Sequence, residues 1–208
     1  MTKLIYLQGA DSSVGQEDLI IDKDAADRVK FIRRLAGGKE NVISFNAPHS
    51  SLDHPGKFSW FQNPVGKYKD RDPRLVMAEI QQSAEFIKKE ISRRKLKKFI
   101  LCGASQGGFM ALWLVLNDII KPEKAVAIVP FYSREFLHAG MNKTTPILWA
   151  AAGKDIEIPP NVADTWKYIR SMEAHLDYIC DFDSLHGKWT PNFKKMIMEW
   201  VKKDRGQY

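Results

Sequence analysis

The stretch KKFILCGASQGGFMALWLVLN, residues 97–117, decides how the rest of the chain is read. A short apolar run, Phe99 to Cys102, leads into Gly103-Ala104-Ser105-Gln106-Gly107, and a second apolar run, Phe109 to Leu116, follows. The first run does not alternate with polar residues, as expected of a strand buried on both faces of a parallel sheet. A G-x-S-x-G between such a strand and a helix holds a serine hydroxyl on a sharp turn above the carboxyl ends of the strands. The flanking glycines have a steric reason, because in so tight a turn a Cβ would strike the neighbouring strand or helix. With Gly and Ser each at about 7% of residues, the bare motif arises by accident in about one chain in fourteen of this length. The context therefore carries the reading, not the motif.

Outward from this turn the same alternation repeats. Strand candidates are KLIYLQ (3–8), NVISFN (41–46), KFILCG (98–103), KAVAIVP (124–130), PILWAAA (146–152) and LDYICDF (176–182). Helical patterns fall between them: Ala25, Val29, Ile32 and Ala36 before a Gly37-Gly38 stop, then Val76, Ile80, Ala84, Ile87 and Ile91. Val162, Trp166 and Ile169 suggest a third helix. The last opens with Thr190 as N-cap and Pro191 at its first position, and buries Phe193, Met196, Ile197, Trp200 and Val201. This order predicts an α/β fold with a mostly parallel central sheet of about six strands and helices on both faces. Residues 47–74 break the rhythm with four prolines and no clean period. A segment this long is usually functional, and its FSWFQ centre is too apolar for a disordered linker, so it reads as a loop folded over the sheet edge near a ligand site. With no repeat, linker or low-complexity tract, residues 1–208 read as a single domain.

Bulk properties agree. A chain of 208 residues with 44% hydrophobic and 27% charged residues is an ordinary globular protein that needs no disulfide or structural metal. The two cysteines, Cys102 and Cys180, lie in apolar runs and read as buried free thiols. The N-terminus is a strand rather than a signal peptide, and no apolar stretch reaches membrane-spanning length, so the cytoplasm is the expected location. The net charge of +7 includes a cluster, KKEISRRKLKK, at 88–98. Without interleaved aromatics or a nucleic-acid motif it reads as a solvated helix end, and no nucleic-acid partner is expected. No metal or other cofactor is implied: there is no phosphate-loop or dinucleotide motif and no zinc-type Cys/His spacing.

A serine hydroxyl needs a base, and the base an orienting carboxylate. In this fold the chain order is Ser, acid, His, each at the carboxyl end of a strand. His175 precedes its strand and stands at the wrong end, whereas His186 follows LDYICDF in the loop DSLHGKW. Asp155 follows the strand PILWAAA through a Gly turn, with Glu157 as its nearest competitor. Two donors must meet the developing oxyanion. One is the backbone N–H of Gln106, and the other is expected from LQGADSS, where Gly9 allows an unusual turn that presents the N–H of Ala10.

With those residues in hand, the chain resembles the small carboxylesterase/phospholipase group of α/β-hydrolases, which includes the acyl-protein thioesterases. LQGADSS, SWFQ, GASQGGFMAL, ILWAAAGKDIEIPP and LHGKW carry the resemblance in that order, across nearly the whole chain. It implies the α/β-hydrolase fold, Ser105 as nucleophile, His186 as base, Asp155 as orienting acid, and the amides of Ala10 and Gln106 as oxyanion donors. It also implies Trp60 and Phe61 near an acyl pocket, to which Phe131 is added here as an apolar contact. The chain departs from the family at Gln8-Gly9, where His-Gly is usual, at Leu185, where a glycine usually precedes the histidine, and at IVPFYS, where Ser-Gly is usual. The expected activity is hydrolysis of a small-molecule carboxylic ester or thioester through an acyl-enzyme. The rival expectation is a hydrolase-fold binding protein with weak or no turnover, and a homodimer is left open.

Overall fold

The structure, a computed structural model, describes residues 2–11, 23–52, 54–62, 71–131, 144–156, 167 and 175–203. Six strands form one sheet: β1 (Lys3–Leu7), β2 (Val42–Ile43), β5 (Phe99–Ala104), β6 (Lys124–Ile128), β7 (Ile147–Ala152) and β8 (Leu176–Asp181). Their order is β2-β1-β5-β6-β7-β8 and every pairing is parallel. The central runs β5, β6 and β7 are buried on both sides while the edge strands β2 and β8 are half-buried, and the strand period of two sorts successive residues into two cores. Ile5, Leu101, Ala125 and Trp149 face one core, while Leu4, Cys102, Val126 and Leu148 face the other.

Helices cover both faces. Helix α1 (Lys23–Leu35) and helix α4 (Pro191–Lys202) pack on the Leu4 side through Phe31, Ile32, Phe193, Ile197 and Trp200. Helix α2 (Pro73–Arg93) and helix α3 (Gln106–Leu116) pack on the Ile5 side. Asp72 caps α2 by accepting from the Arg74 N–H at 2.9 Å, and Thr190 caps α4 by accepting from the Phe193 N–H at 3.1 Å. Pro73 and Pro191 follow the caps, where the missing N–H costs no hydrogen bond. All of α3 is buried, which explains why its sequence is apolar all round. The basic run at 88–98 is the exposed end of α2 and the turn after it, and Arg93 and Arg94 both pair with Glu90. Cys102 and Cys180 are free thiols, and burial pushes the Cys102 pKa up. The proposed helix around Val162, Trp166 and Ile169 lies outside the described residues. Among the described residues no helix is long and apolar enough to cross a membrane.

Two details differ from expectation. The second strand pairs over two residues, not six: Leu4 and Ile5 of β1 oppose Val42 and Ile43, after which the Ser44 hydroxyl bonds the Tyr6 carbonyl at 3.2 Å. A side chain thus takes over where the ladder stops. The segment expected as a loop contains a small antiparallel ladder, β3 (His49–Ser50) against β4 (Phe58–Ser59). Strands of two residues have no period to read. Beyond β4 the chain is tied to α2: Glu79 accepts from the Gln62 N–H at 2.8 Å and pairs with Arg71 through both carboxylate oxygens.

The chain runs from β1 outward to β2, then crosses back to β5 on the other side of β1. This reversal opens a crevice between the carboxyl ends of β1 and β5, the position at which open α/β sheets take ligands. Gly103-Ala104-Ser105 ends β5 at that crevice.

Candidate active site

The turn after β5 is built by exclusion. A Cβ on Gly103 would lie 2.1 Å from the Gly107 carbonyl oxygen, and a Cβ on Gly107 would lie 2.1 Å from the Leu7 carbonyl oxygen. Both are far inside contact distance, so α3 starts directly against β1 only because these positions lack side chains. Ser105 has φ 52° and ψ −120°, a strained conformation for a residue with a Cβ, worth about 1–3 kcal/mol. Its backbone is fixed from several directions: its N–H donates to the Ile128 carbonyl at 2.9 Å, and its carbonyl accepts from Phe109 at 3.0 Å and Phe131 at 3.3 Å. The residue is partly buried at the crevice.

His186 and Asp155 arrive from the ends of β8 and β7. The imidazole Nε2 is 2.9 Å from the Ser105 Oγ, and Nδ1 is 2.7 Å from the Asp155 Oδ2. With Nδ1 protonated toward the carboxylate, Nε2 is the acceptor facing the hydroxyl. Asp155 is nearly buried, with its side chain 4% exposed, and the histidine is 16% exposed. The two loops are stitched together, since Gly153 N–H donates to the Asp181 carbonyl at 2.8 Å and Lys154 N–H to the Ser184 carbonyl at 3.0 Å. Of the two carboxylates in the β7 loop, Asp155 makes the contact, and Glu157 lies outside the described residues.

Sequence reasoning missed the residues that hold the histidine loop. The Asp181 carboxylate, at the end of β8, accepts from the hydroxyls of Ser184 (2.7 Å) and Thr190 (2.8 Å) and from the Asn192 amide (3.0 Å). Burial is the largest single influence and pushes the Asp181 pKa up. The hydrogen bonds from Ser184, Asn192 and Thr190 together outweigh it, and the carboxyl lies below its usual value. The Trp189 indole donates to the His186 carbonyl at 3.1 Å, and Arg28 of α1 donates to the Gly187 carbonyl. The signal available in sequence was only a run of Asp, Ser, Thr and Asn around the histidine.

On the other side of the crevice lies the loop after β1. A Cβ on Gly9 would be 3.6 Å from the Ser105 Cβ, so Gly9, which Ala10 follows, stands beside the nucleophile candidate. Gln106, at the start of α3, is buried, and its side chain reaches the β4 segment. Its Oε1 accepts from the Trp60 N–H at 2.8 Å, and its Nε2 donates to the Phe61 carbonyl at 2.6 Å. Trp60 and Phe61 are 1% and 0% exposed, so their side chains are core in this structure. The Trp60 indole is occupied by the Gln8 carbonyl at 2.8 Å, and Phe61 packs edge-on against Phe109. Phe131 is only partly buried, so it alone of the three aromatics still offers surface. Among the described residues no group of three or more His, Cys, Asp or Glu could hold a metal ion.

No protein-family model matches the chain, and no curated protein matches its sequence. Solved structures do match. Arabidopsis thaliana SOBER1 aligns over 97% of both chains at a TM-score of 0.67 and 18% identity. Esterase PE8 aligns over 97% of this chain and 91% of its own at 0.73 and 17% identity. A carboxylesterase from Mesorhizobium loti aligns over 98% and 89% at 0.68 and 17% identity. The chain has the α/β-hydrolase fold. At these identities the likeness speaks for fold alone. Within the α/β-hydrolase fold, the crevice between β1 and β5 and the loops after β7 and β8 bring Ser105, His186 and Asp155 into one hydrogen-bonded line.

Proposed function

We propose that this protein is a serine hydrolase of carboxylic esters or thioesters that works through an acyl-enzyme. One observation carries the reading: His186 lies between Ser105 at 2.9 Å and the nearly buried Asp155 at 2.7 Å, at the carboxyl end of a parallel sheet. Ser105 attacks the substrate carbonyl as its proton passes to His186 Nε2. Asp155 holds the imidazole in the tautomer that accepts this proton and stabilises the imidazolium. The tetrahedral oxyanion meets the N–H groups of Gln106 and Ala10. Collapse expels the alcohol or thiol, which takes the proton from His186. Water then attacks the acyl-enzyme by the same route, releasing the acid and restoring Ser105. The strained φ of Ser105 and its fixed backbone support this role, because a nucleophile held in place needs little reorganisation. Phe131 is the aromatic that contacts an apolar acyl group, and the fold of residues 1–208 works as one domain.

A fluorophosphonate probe tests the reading. Wild-type protein should label, and Ser105→Ala should not, with ester turnover falling by about 10⁴-fold or more in the variant. Wild type labelling no better than Ser105→Ala would leave only a binding role. p-Nitrophenyl esters of graded chain length, beside an acyl thioester and a lysophospholipid, then rank substrate classes.

A further inference from the structure

The two proposed oxyanion donors belong to different elements. Ala10 is on the loop after β1, and Gln106 opens α3, so their relative position is not set by local chain geometry. One segment bonds to both. From Ser59 to Phe61 the chain lies against the start of α3 and the β1 loop, and its polar groups are used in turn. Trp60 N–H and Phe61 carbonyl take the two ends of the Gln106 side-chain amide, not its backbone N–H. The Trp60 indole takes the Gln8 carbonyl. The Ser59 hydroxyl accepts from the Asp11 N–H and donates to the Asp11 carboxylate, both at 3.3 Å. Asp11 itself has φ 55°, a left-handed turn conformation that Asp adopts more readily than most residues with a side chain. The segment is anchored in turn by Ser83 of α2, whose hydroxyl donates to the Trp60 carbonyl, and by the edge-on packing of Trp60 with Phe45.

We infer that Ser59-Trp60-Phe61 is a brace that fixes the spacing of the Ala10 and Gln106 amides, with Trp60 its main positioning residue. The inference rests on the serine-hydrolase reading for its catalytic consequence, but the brace itself is a statement about the Gln8–Asp11 loop. Gln8 and Asp11 flank Gly9-Ala10, and each is held by a side chain of the brace. A loop held on both sides of its donor meets the oxyanion without rearranging. Releasing one side lets the donor wander by a distance that matters, since misplacement of about 1 Å costs about 100-fold in favourable cases.

The decisive variant is Trp60→Phe, which keeps an aromatic ring in the core and removes the indole N–H together with the volume of the fused five-membered ring. Its kcat on a p-nitrophenyl ester should fall about ten-fold with KM within about two-fold, and the Ki for a trifluoromethyl ketone, which forms an oxyanion adduct, should rise by the same factor. Amide exchange over residues 8–11 should rise about ten-fold while exchange around His186 stays unchanged. Ser59→Ala should do the same more weakly, about three-fold, and it decides the matter if Trp60→Phe does not fold. A folded variant with normal kcat, normal ketone affinity and normal exchange at residues 8–11 overturns the brace, leaving Trp60 as packing. The exchange measurement needs no activity. If wild type proves to have no Ser105-dependent turnover, exchange alone upholds or overturns the brace while the hydrolase reading falls separately.

Discussion

The two sides of the crevice are held by different physics. On the β7–β8 side, the loop bearing His186 closes around a buried carboxylate, Asp181, that collects hydrogen bonds from Ser184, Thr190 and Asn192. On the β1–β4 side, the loop bearing Ala10 is held by the neutral Trp60 indole at the Gln8 carbonyl and by the Ser59 hydroxyl, which accepts from the Asp11 N–H and donates to the partly exposed Asp11 carboxylate. Charge-assisted hydrogen bonds are roughly twice as strong as neutral ones, but they vanish when the charge is titrated. Neutral bonds are weaker and indifferent to pH. In the proposed mechanism the histidine side must position a group that itself gains and loses charge, and the oxyanion side must keep two N–H groups still. The contrast can be broken one residue at a time.

The largest effect belongs to Asp155. Asp155→Asn removes the charge that orients His186 while keeping the shape of the side chain, so the fold and melting temperature should be nearly unchanged. Turnover should fall by about 10⁴-fold, because an amide can present its N–H to Nδ1 and favour the wrong imidazole tautomer. Glu157→Gln is the matched control and should stay active. A fully active Asp155→Asn beside a dead Glu157→Gln would move the acid to the neighbouring carboxylate.

Much of this is legible in the sequence alone. Strands β1, β5, β6, β7 and β8 fall within two residues of the apolar runs that announced them; the reading is cleanest at β5, β6 and β7, which are buried on both faces, while the edge strand β8 is half-buried and carries Asp177. Ser105, Asp155 and His186 could be placed together because each follows such a strand on the side where a parallel sheet gathers its loops. The brace was not legible. Gln106 meets Trp60 and Phe61 across 46 and 45 residues, and nothing local says which carbonyl a buried amide will find. The aromatic character of SWF reads equally well as pocket or core, and burial assigns Trp60 and Phe61 to the core. Asp181 was passed over for a related reason. It sits in the strand that delivers the histidine, and its role depends on a helix cap that comes nine residues later.

Asp181 gives the next effect. Its folded pKa lies below its unfolded value of about 3.9. A depressed carboxylate contributes stability that is complete above the unfolded pKa and is lost as the pH falls through the folded one. Between about pH 7 and pH 5 this contribution is constant, and below about pH 4 it drains away. Asp181→Asn should cost about 1–3 kcal/mol at pH 7 and lose that part of the acid slope. Urea midpoints from pH 3 to pH 7 check it, with Trp60→Phe as the partner that sharpens the contrast. Trp60→Phe should keep the wild-type acid slope, because no titrating group is removed. Parallel pH profiles for wild type and Asp181→Asn would mean that the charge does not hold this loop.

The smallest effect separates the two jobs of Thr190. Its hydroxyl accepts from the Phe193 N–H, capping α4, and donates to Asp181, tying the helix to the histidine loop. Loss of the cap alone costs about 1 kcal/mol. Because the same hydroxyl also serves Asp181, Thr190→Ala and Asp181→Asn share an interaction and should cost less together than the sum of the two. Thr190→Ser keeps both bonds and should match wild type, since the lost methyl takes no part in either. Strict additivity in the double variant would show that the cap acts alone. The buried charge would then hold the histidine loop through Ser184, and α4 would be tied to it by Asn192 rather than by its cap.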